Sequence, residues 1–159
     1  MPFNELMINC IKDGTSYKEY GVSVSVKHGK SETVLFFAID SNSNNRSNFR
    51  DVINTTVICD LLVYYSTDAG NKKICLVELK GKDVEHAADQ LIETKEKTEN
   101  LLKEKRYRNV IWKGLIVHRS SAPRQQKPEL KRKLDYAFGR ENYRMVHKMK
   151  YDLGDFIRN

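Results

Sequence analysis

Apolar residues recur with two different periods along the first 40 residues of the chain. In residues 3–12 they are spaced three and four apart, which predicts a short amphipathic helix. In residues 21–28 valines alternate with polar residues, and residues 31–40 contain a continuous apolar run, so both segments predict strands. Residues 41–48 are rich in Asn and Ser and predict a loop.

The middle of the chain predicts two paired strands followed by the longest helix. Residues 55–65 are β-branched and apolar, and residues 74–79 form a second apolar run. The polar residues 66–73 between them predict a turn, so the two strands are expected to form an antiparallel hairpin. Residues 81–106 carry apolar side chains at helical spacing, with Asp83 as the residue that initiates the helix.

The last third adds a strand and a second helix. Residues 110–118 predict a fifth strand, and residues 128–138 predict a helix that begins with a proline. Residues 143–157 predict a last short strand and a terminal helical turn. The resulting order of helix, four strands, helix, strand and helix predicts an α/β fold with a central mixed β-sheet flanked by helices.

Length and composition predict one globular domain over residues 1–159. The chain is 40% hydrophobic and 31% charged, with three prolines, which excludes collagen-like and largely disordered classes. No apolar run approaches the roughly 18 residues that cross a bilayer, so we expect a cytoplasmic protein without a membrane partner. Cys10, Cys59 and Cys75 lack CxxC spacing and are expected to be buried, reduced core residues.

The net charge of +7 is unevenly distributed along the chain. Residues 103–150 hold 15 basic and 4 acidic residues, a balance of +11, whereas the remainder has a balance of −4. A clustered positive charge is typical of proteins that bind polyanions such as nucleic acids, although it can also be a solvated surface. The basic residues that we expect to contact a nucleic acid are Lys105, Arg106, Arg108, Arg119, Arg124, Lys127, Lys131 and Arg132.

Three ionisable residues occur in runs that should be apolar. Asp60 interrupts the first strand of the predicted hairpin, and Glu78 and Lys80 close the second. Residues 78 and 80 share one face of a strand, so hairpin pairing can bring Asp60 beside Glu78. Two neighbouring carboxylates repel each other unless a cation lies between them, and carboxylate oxygens suit Mg²⁺.

The spacing of Asp60, seventeen residues, and then Glu78-Leu79-Lys80 resembles the core motif of the PD-(D/E)xK nuclease superfamily. This resemblance covers about residues 3–118, with residues 119–159 as a basic C-terminal extension, and implies a restriction-endonuclease-like fold. It also implies a phosphodiester hydrolase that uses Mg²⁺, with Mn²⁺ as an alternative. Asp60, Glu78 and the Leu79 carbonyl would be the metal ligands, and Lys80 the catalytic lysine. Gln90 would be a further catalytic residue, a polar side chain of the following helix directed to the metal site.

The chain departs from the superfamily pattern at three places. Cys59 replaces the proline that often precedes the aspartate, and Thr94 stands where some subgroups have a tyrosine. The sequence does not assign the acidic residue that the N-terminal helix often supplies, and Glu5 and Glu19 are both candidates. On family grounds DNA is favoured over RNA as the substrate, and a homodimer is possible because cutting two strands needs two sites.

Other interpretations of the same residues stay open. Glu78 and Lys80 can form an ordinary ion pair at a strand end, since ExK occurs by chance in many charged proteins. The chain is then a non-catalytic nucleic-acid-binding or regulatory module, or a factor whose basic face binds an acidic protein. His118 and His147 have no metal-ligand spacing in the sequence.

Overall fold

The computed structural model describes residue 4 and residues 6–40, 49–80, 83–102, 109–119 and 128–159. Within these ranges the strands are β1 (Ile11–Lys12), β2 (Ser16–Glu19), β3 (Val22–Ser25), β4 (Glu32–Ala38), β5 (Leu61–Thr67), β6 (Lys72–Lys80), β7 (Val110–His118), β8 (Tyr143–His147) and β9 (Lys150–Asp152). The helices are α1 (Leu6–Cys10, a π-helical turn), α2 (Phe49–Ile53), α3 (Val84–Leu101), α4 (Pro128–Phe138) and α5 (Gly154–Arg158).

A six-stranded mixed sheet forms the centre of the protein, in the order β1-β4-β5-β6-β7-β8. Strands β4, β5 and β6 pair antiparallel, with a short turn between β5 and β6 and a longer connection that contains α2 between β4 and β5. Strands β6, β7 and β8 are parallel, and α3 and α4 form the crossovers that parallel pairing requires. The predicted α/β fold with a mixed sheet flanked by helices is therefore confirmed.

Alternating side chains of β6 divide the interior into two cores, one on each face of the sheet. Ile74 and Leu76 pack with α3 and α4, whereas Cys75, Val77 and Leu79 pack with β3 and α5. A small second sheet, in the order β2-β3-β9, covers the face opposite α3. Cys10, Cys59 and Cys75 are all buried, as their positions in apolar runs predict.

Two of the predicted elements have the wrong boundaries. The strand expected over residues 55–65 begins only at Leu61, so Asp60 precedes β5 and does not interrupt it. Ile58 and Cys59 are buried beneath α3, and side chains of α3 take the place of a neighbouring strand as hydrogen-bond partners. The helix expected over residues 3–12 ends at Cys10, because Ile11 and Lys12 pair with β4.

Several further elements were not predicted from the sequence. Strand β2 has a half-exposed polar sequence, and the three-residue β9 gains its order from parallel pairing with β3. Helix α2 directly follows the predicted loop of residues 41–48, which lies outside the described residues. The Asp83 side chain caps α3 by accepting a hydrogen bond from the His86 N–H at 3.0 Å, which confirms its predicted role.

No helix within the described ranges has the length and apolar character needed to span a membrane.

Candidate functional site

Helix α3 fixes the backbone that leads into Asp60. The Gln90 side-chain amide donates to the Ile58 carbonyl at 2.8 Å, and the Cys59 N–H donates to the Thr94 hydroxyl at 2.9 Å. The Thr94 hydroxyl in turn donates to the main-chain carbonyl of Gln90 at 2.7 Å. All of these groups are buried, so the hydrogen bonds are shielded from water and hold the entry to β5 in one conformation.

Asp60 and Glu78 are brought together by reciprocal bonds between side chain and main chain. The Asp60 N–H donates to Glu78 Oε2 at 3.1 Å, and the Leu79 N–H donates to Asp60 Oδ2 at 2.7 Å. The antiparallel register of β5 and β6, in which Leu61 faces Val77, sets this arrangement. The hairpin thus places the Asp60 carboxylate, directly before β5, beside the Glu78 carboxylate in β6, as the sequence predicts.

Lys80 completes this constellation on the solvent side. Its ammonium lies 2.8 Å from Glu78 Oε1, and its side chain is 21% exposed while that of Glu78 is fully buried. Glu78 Oε1 has no well-oriented hydrogen bond to any described residue, so Lys80 compensates its charge mainly as an ion pair. The site is therefore accessible through Lys80, and its acidic end is inside the protein.

Burial dominates the electrostatics of the two carboxylates. It raises the pKa of Asp60, and the charges of Glu19 and Asp40 raise it further, against the opposing effect of the Leu79 N–H. Burial and the neighbouring Asp60 likewise raise the pKa of Glu78. Because desolvation favours the neutral form of a carboxyl group, the fold pays in stability to hold both groups ionised.

The pKa of Lys80 results from opposing effects. Burial lowers it, but the ion pair with Glu78 and the charge of Asp60 outweigh burial, so the net pKa is raised. Lys80 is therefore an ammonium group while the carboxylates are ionised. In that form it can donate hydrogen bonds to an anionic ligand.

Gln90 lies next to the site, but it acts on the backbone that supports Asp60. Its side chain is 7% exposed, and its Nε2 is used by the Ile58 carbonyl. The Oε1 atom is buried and has no hydrogen-bond partner among the described residues. The structure thus gives Gln90 a positioning function, and its predicted catalytic role stays a prediction.

Thr94 differs from the tyrosine that some subgroups of the PD-(D/E)xK superfamily have at this position, but its hydroxyl supports the backbone next to Asp60. Its hydroxyl both accepts from Cys59 and donates to Gln90, so it holds the residue immediately before Asp60. The signal was available in the sequence, because Gln90 and Thr94 are one helical turn apart and share a face.

Two more acidic side chains, Glu19 and Asp40, act on Asp60 through their charges. Glu19, one of the two open alternatives, ends β2 and accepts a hydrogen bond from the Tyr17 hydroxyl at 2.8 Å; Glu5 lies outside the described residues. Asp40 follows β4 and binds the Arg50 guanidinium. The charges of both acids act on Asp60, but neither was singled out by apolar pattern, because both lie at element ends.

Two histidines continue the row that Lys80 begins. The parallel register aligns Lys80 with His118 and His118 with His147 across β6, β7 and β8. The two imidazole rings are stacked with centroids 5.3 Å apart, and His147 Nε2 lies 2.8 Å from the Arg119 carbonyl. Only the parallel strand order makes these residues neighbours, so their sequence spacing carried no signal.

Three of the predicted nucleic-acid contacts lie within the described residues. Arg119 directly follows β7, is exposed, and donates its N–H to the Lys80 carbonyl at 3.1 Å. Lys131 and Arg132 are exposed on α4. The other five, Lys105, Arg106, Arg108, Arg124 and Lys127, lie outside the described residues.

The donor set restricts the metal that the site can accept. Among the residues that the structure describes, no three or more His, Cys, Asp or Glu side chains come together as a metal-binding group. The candidate ligands are the two carboxylates of Asp60 and Glu78 with a main-chain carbonyl such as that of Leu79. Such an oxygen set suits Mg²⁺, which commonly keeps several waters and binds only one or two carboxylates.

No family model matches the chain, and no curated protein or solved structure matches it either. The fold and site define an α/β protein with a mixed six-stranded sheet. Its buried pair of carboxylates lies where the start of β5 meets the end of β6.

Proposed function

We propose that the protein is a divalent-metal-dependent nuclease that hydrolyses phosphodiester bonds, with DNA as the favoured substrate. The observation that carries this proposal is the buried pair of Asp60 and Glu78. Glu78 accepts a hydrogen bond from the Asp60 N–H, Asp60 accepts one from the Leu79 N–H, and the Lys80 ammonium lies 2.8 Å from Glu78.

A structural function accounts poorly for this pair. Two buried carboxylates side by side lose their hydration and repel each other, and one ammonium group balances only one of the two charges. Asp60 is 4% exposed and Glu78 is 0% exposed, so water cannot supply the missing compensation. A bound cation would supply it, and the all-oxygen donor set fits Mg²⁺.

Each residue then has a defined task in hydrolysis. Asp60 and Glu78 would hold the metal, which when bound polarises the phosphate and lowers the pKa of a bound water. Lys80, the most exposed member of the three, would donate hydrogen bonds to the phosphate oxygens and stabilise the charge that develops on them. Gln90 and Thr94 would keep Asp60 in place through the backbone of residues 58 and 59.

The arrangement of elements also supports the proposal. Strands β4, β5 and β6 are antiparallel, α3 follows β6, and β7 returns parallel to β6. The resemblance to the PD-(D/E)xK superfamily implies the same succession, with the acidic residues on neighbouring antiparallel strands. A restriction-endonuclease-like fold is therefore part of this proposal.

A substrate surface next to the site is consistent with the distribution of charge. Arg119 is bonded through its backbone to Lys80, and Lys131 and Arg132 are exposed on α4. Contacts of such residues to phosphates are independent of sequence and depend strongly on salt. We therefore expect binding to follow the backbone of the nucleic acid.

The test is incubation of supercoiled plasmid, linear duplex and single-stranded DNA with the protein in Mg²⁺ or Mn²⁺, followed by gel electrophoresis. We expect cleavage that EDTA stops. Asp60→Asn and Lys80→Ala should each reduce the rate about 100-fold or more, because metal and charge stabilisation each contribute several kcal/mol.

Glu141→Gln is the matched control, since Glu141 is an exposed carboxylate on the segment between α4 and β8. Cleavage that persists in EDTA or in Asp60→Asn would contradict the proposed mechanism. If no substrate is cut while binding falls steeply with salt, the protein is a non-catalytic nucleic-acid-binding module. If binding is indifferent to salt, an acidic protein partner is favoured.

A further inference from the structure

The turn between β2 and β3 has an unusual residue at its tip. Glu19 pairs with Val22, so Tyr20 and Gly21 form a two-residue loop, and both have positive φ, +48° and +77°. Such a hairpin turn favours Asn-Gly because its first residue must adopt the left-handed conformation. A tyrosine there is strained, since its Cβ approaches the following carbonyl oxygen.

Burial does not compensate this strain. The Tyr20 side chain is 66% exposed, which makes it one of the most exposed large side chains among the described residues. A strained and exposed aromatic residue costs stability without contributing to a core. Strain that persists in this way is a reason to look for a function at that position.

The tip lies at the candidate active site. Val22 and Val24 pack with Leu79 and Val117, which fixes the hairpin on the sheet face opposite α3. At the edge of that face, Arg119 Nη1 lies 3.5 Å from the position that a Cβ on Gly21 would occupy. Arg119 is itself bonded to Lys80 through the backbone. The exposed Tyr20 is therefore part of a turn that borders the Arg119 guanidinium, near the end of β6 that carries Lys80.

Electrostatic coupling agrees with this placement. The charge of Glu19 chiefly raises the pKa of Tyr20, and the charge of Asp60 adds to this increase. The Tyr20 hydroxyl in turn acts on Lys80. The charges of Asp60 and Lys80 thus act on the Tyr20 hydroxyl, which agrees with a turn at the edge of the site.

We propose that Tyr20 stacks on an unpaired nucleobase of the substrate while Lys80 and Arg119 bind the adjacent backbone phosphates. This inference rests on the proposed function and names the substrate class, which is a strand with an unpaired base at the site, as in single-stranded DNA or at a frayed end. A base inside an intact duplex has no free face for the ring. Stacking on aromatic side chains tolerates every base, so the preference is for strandedness and is independent of sequence.

The test measures binding without metal, so that it does not depend on cleavage. A single-stranded oligonucleotide with 2-aminopurine, whose fluorescence falls when the base stacks, is titrated with protein in EDTA at low salt. We expect quenching with the wild type and with Tyr20→Phe. With Tyr20→Asn we expect little quenching and an affinity about ten-fold lower than that of the wild type, in line with the loss of one stacked base.

Tyr20→Asn is suited to this test because it should not unfold the protein. Asn is favoured at this turn position, so the thermal midpoint should stay the same or rise. Tyr136→Ala is the control, because Tyr136 is 93% exposed on α4, and it should quench like the wild type. A loss of affinity in a protein that is more stable excludes misfolding as the cause.

The outcomes separate this inference from the proposed function. Unchanged quenching and affinity in Tyr20→Asn overturn the inference, as does quenching that requires Tyr136, even if Asp60-dependent cleavage is observed. Quenching that requires Tyr20 supports it, even if no metal produces cleavage and the nuclease proposal fails. Equal affinity of the wild type for blunt duplex and single strand also overturns it.

Discussion

Two glutamates of the central sheet have opposite environments. Glu32 begins β4 and accepts hydrogen bonds from the Arg158 guanidinium, the Tyr65 hydroxyl and the Gly29 N–H, at 2.8 to 2.9 Å. The bonds from Arg158 and Tyr65 lower the pKa of Glu32 to about 2. This carboxylate ties the C-terminal helix α5 to the sheet, and its charge is fully compensated by donors of the fold.

Glu78, at the end of β6, has much less compensation. It accepts one backbone hydrogen bond from Asp60 and pairs with Lys80, but burial and the charge of the neighbouring Asp60 outweigh these contacts and raise its pKa. The comparison teaches that this chain can compensate a carboxylate fully where only stability is required. At Asp60 and Glu78 it does not do so, which is the pattern expected where a ligand supplies the missing charge.

Neutral substitutions should separate the two glutamate environments most clearly. Glu32→Gln should lower the thermal midpoint substantially, because Arg158 and Tyr65 lose an ionised acceptor that several donors share. Asp60→Asn should leave the midpoint unchanged or raise it, because the desolvation of one of two repelling carboxylates disappears. Thermal denaturation at neutral pH in EDTA measures both changes.

Glu141→Gln, at an exposed carboxylate, should change the midpoint little and serves as the control. If Asp60→Asn destabilised the protein as much as Glu32→Gln, the acidic pair would be an ordinary structural network. The interpretation of Asp60 and Glu78 as a binding site would then lose its basis.

The sequence predicted the pairing of the acids better than their surroundings. Apolar runs and a short turn were enough to place Asp60 beside Glu78, because a hairpin leaves few registers in which both strands stay buried. The start of β5 was wrong by six residues, since residues 55–59 combine β-branched and apolar side chains as a strand does. Their hydrogen-bond partners are side chains of α3, which apolar periodicity does not reveal.

Contacts between distant segments were beyond prediction from sequence patterns. His118 and His147 become neighbours only through the parallel order of β7 and β8, and Glu32 meets Arg158 only because α5 returns to the sheet. The placement of Tyr20 depends on how the β2–β3 hairpin packs on the sheet. Each of these results from the packing of whole elements, for which local sequence contains no direct signal.

The contribution of the Asp60–Glu78 pair to stability should depend on pH with the opposite sign to that of Glu32. The raised pKa values of Asp60 and Glu78 give stability that is complete below their unfolded-state values, near 4, and is lost as pH rises through the folded-state values. The lowered pKa of Glu32 gives stability that is present above about 4.3 and is lost as pH falls toward 2. Thermal midpoints in EDTA between pH 2 and pH 8 measure both slopes.

Each substitution should reduce one slope only. Asp60→Asn should flatten the decline above pH 5, and Glu32→Gln should flatten the rise at acid pH. Mg²⁺ should also reduce the decline above pH 5 in the wild type, because a metal binds the ionised pair. A wild-type midpoint that rises steadily from pH 5 to pH 8 in EDTA would contradict the raised pKa values.

The smallest expected difference between Glu32 and the Asp60–Glu78 pair is in how salt changes their contributions to the thermal midpoint. The Arg158 side chain is 33% exposed, so ions reach its pair with Glu32, whereas Asp60 and Glu78 are buried. Raising the ionic strength from 0.1 M to 1 M shortens the screening length from about 10 Å to about 3 Å. The difference in thermal midpoint between wild type and Glu32→Gln should therefore shrink, while that between wild type and Asp60→Asn stays constant. An equal change in both differences would mean that solvent reaches the acidic pair, and would remove the contrast between the two glutamates.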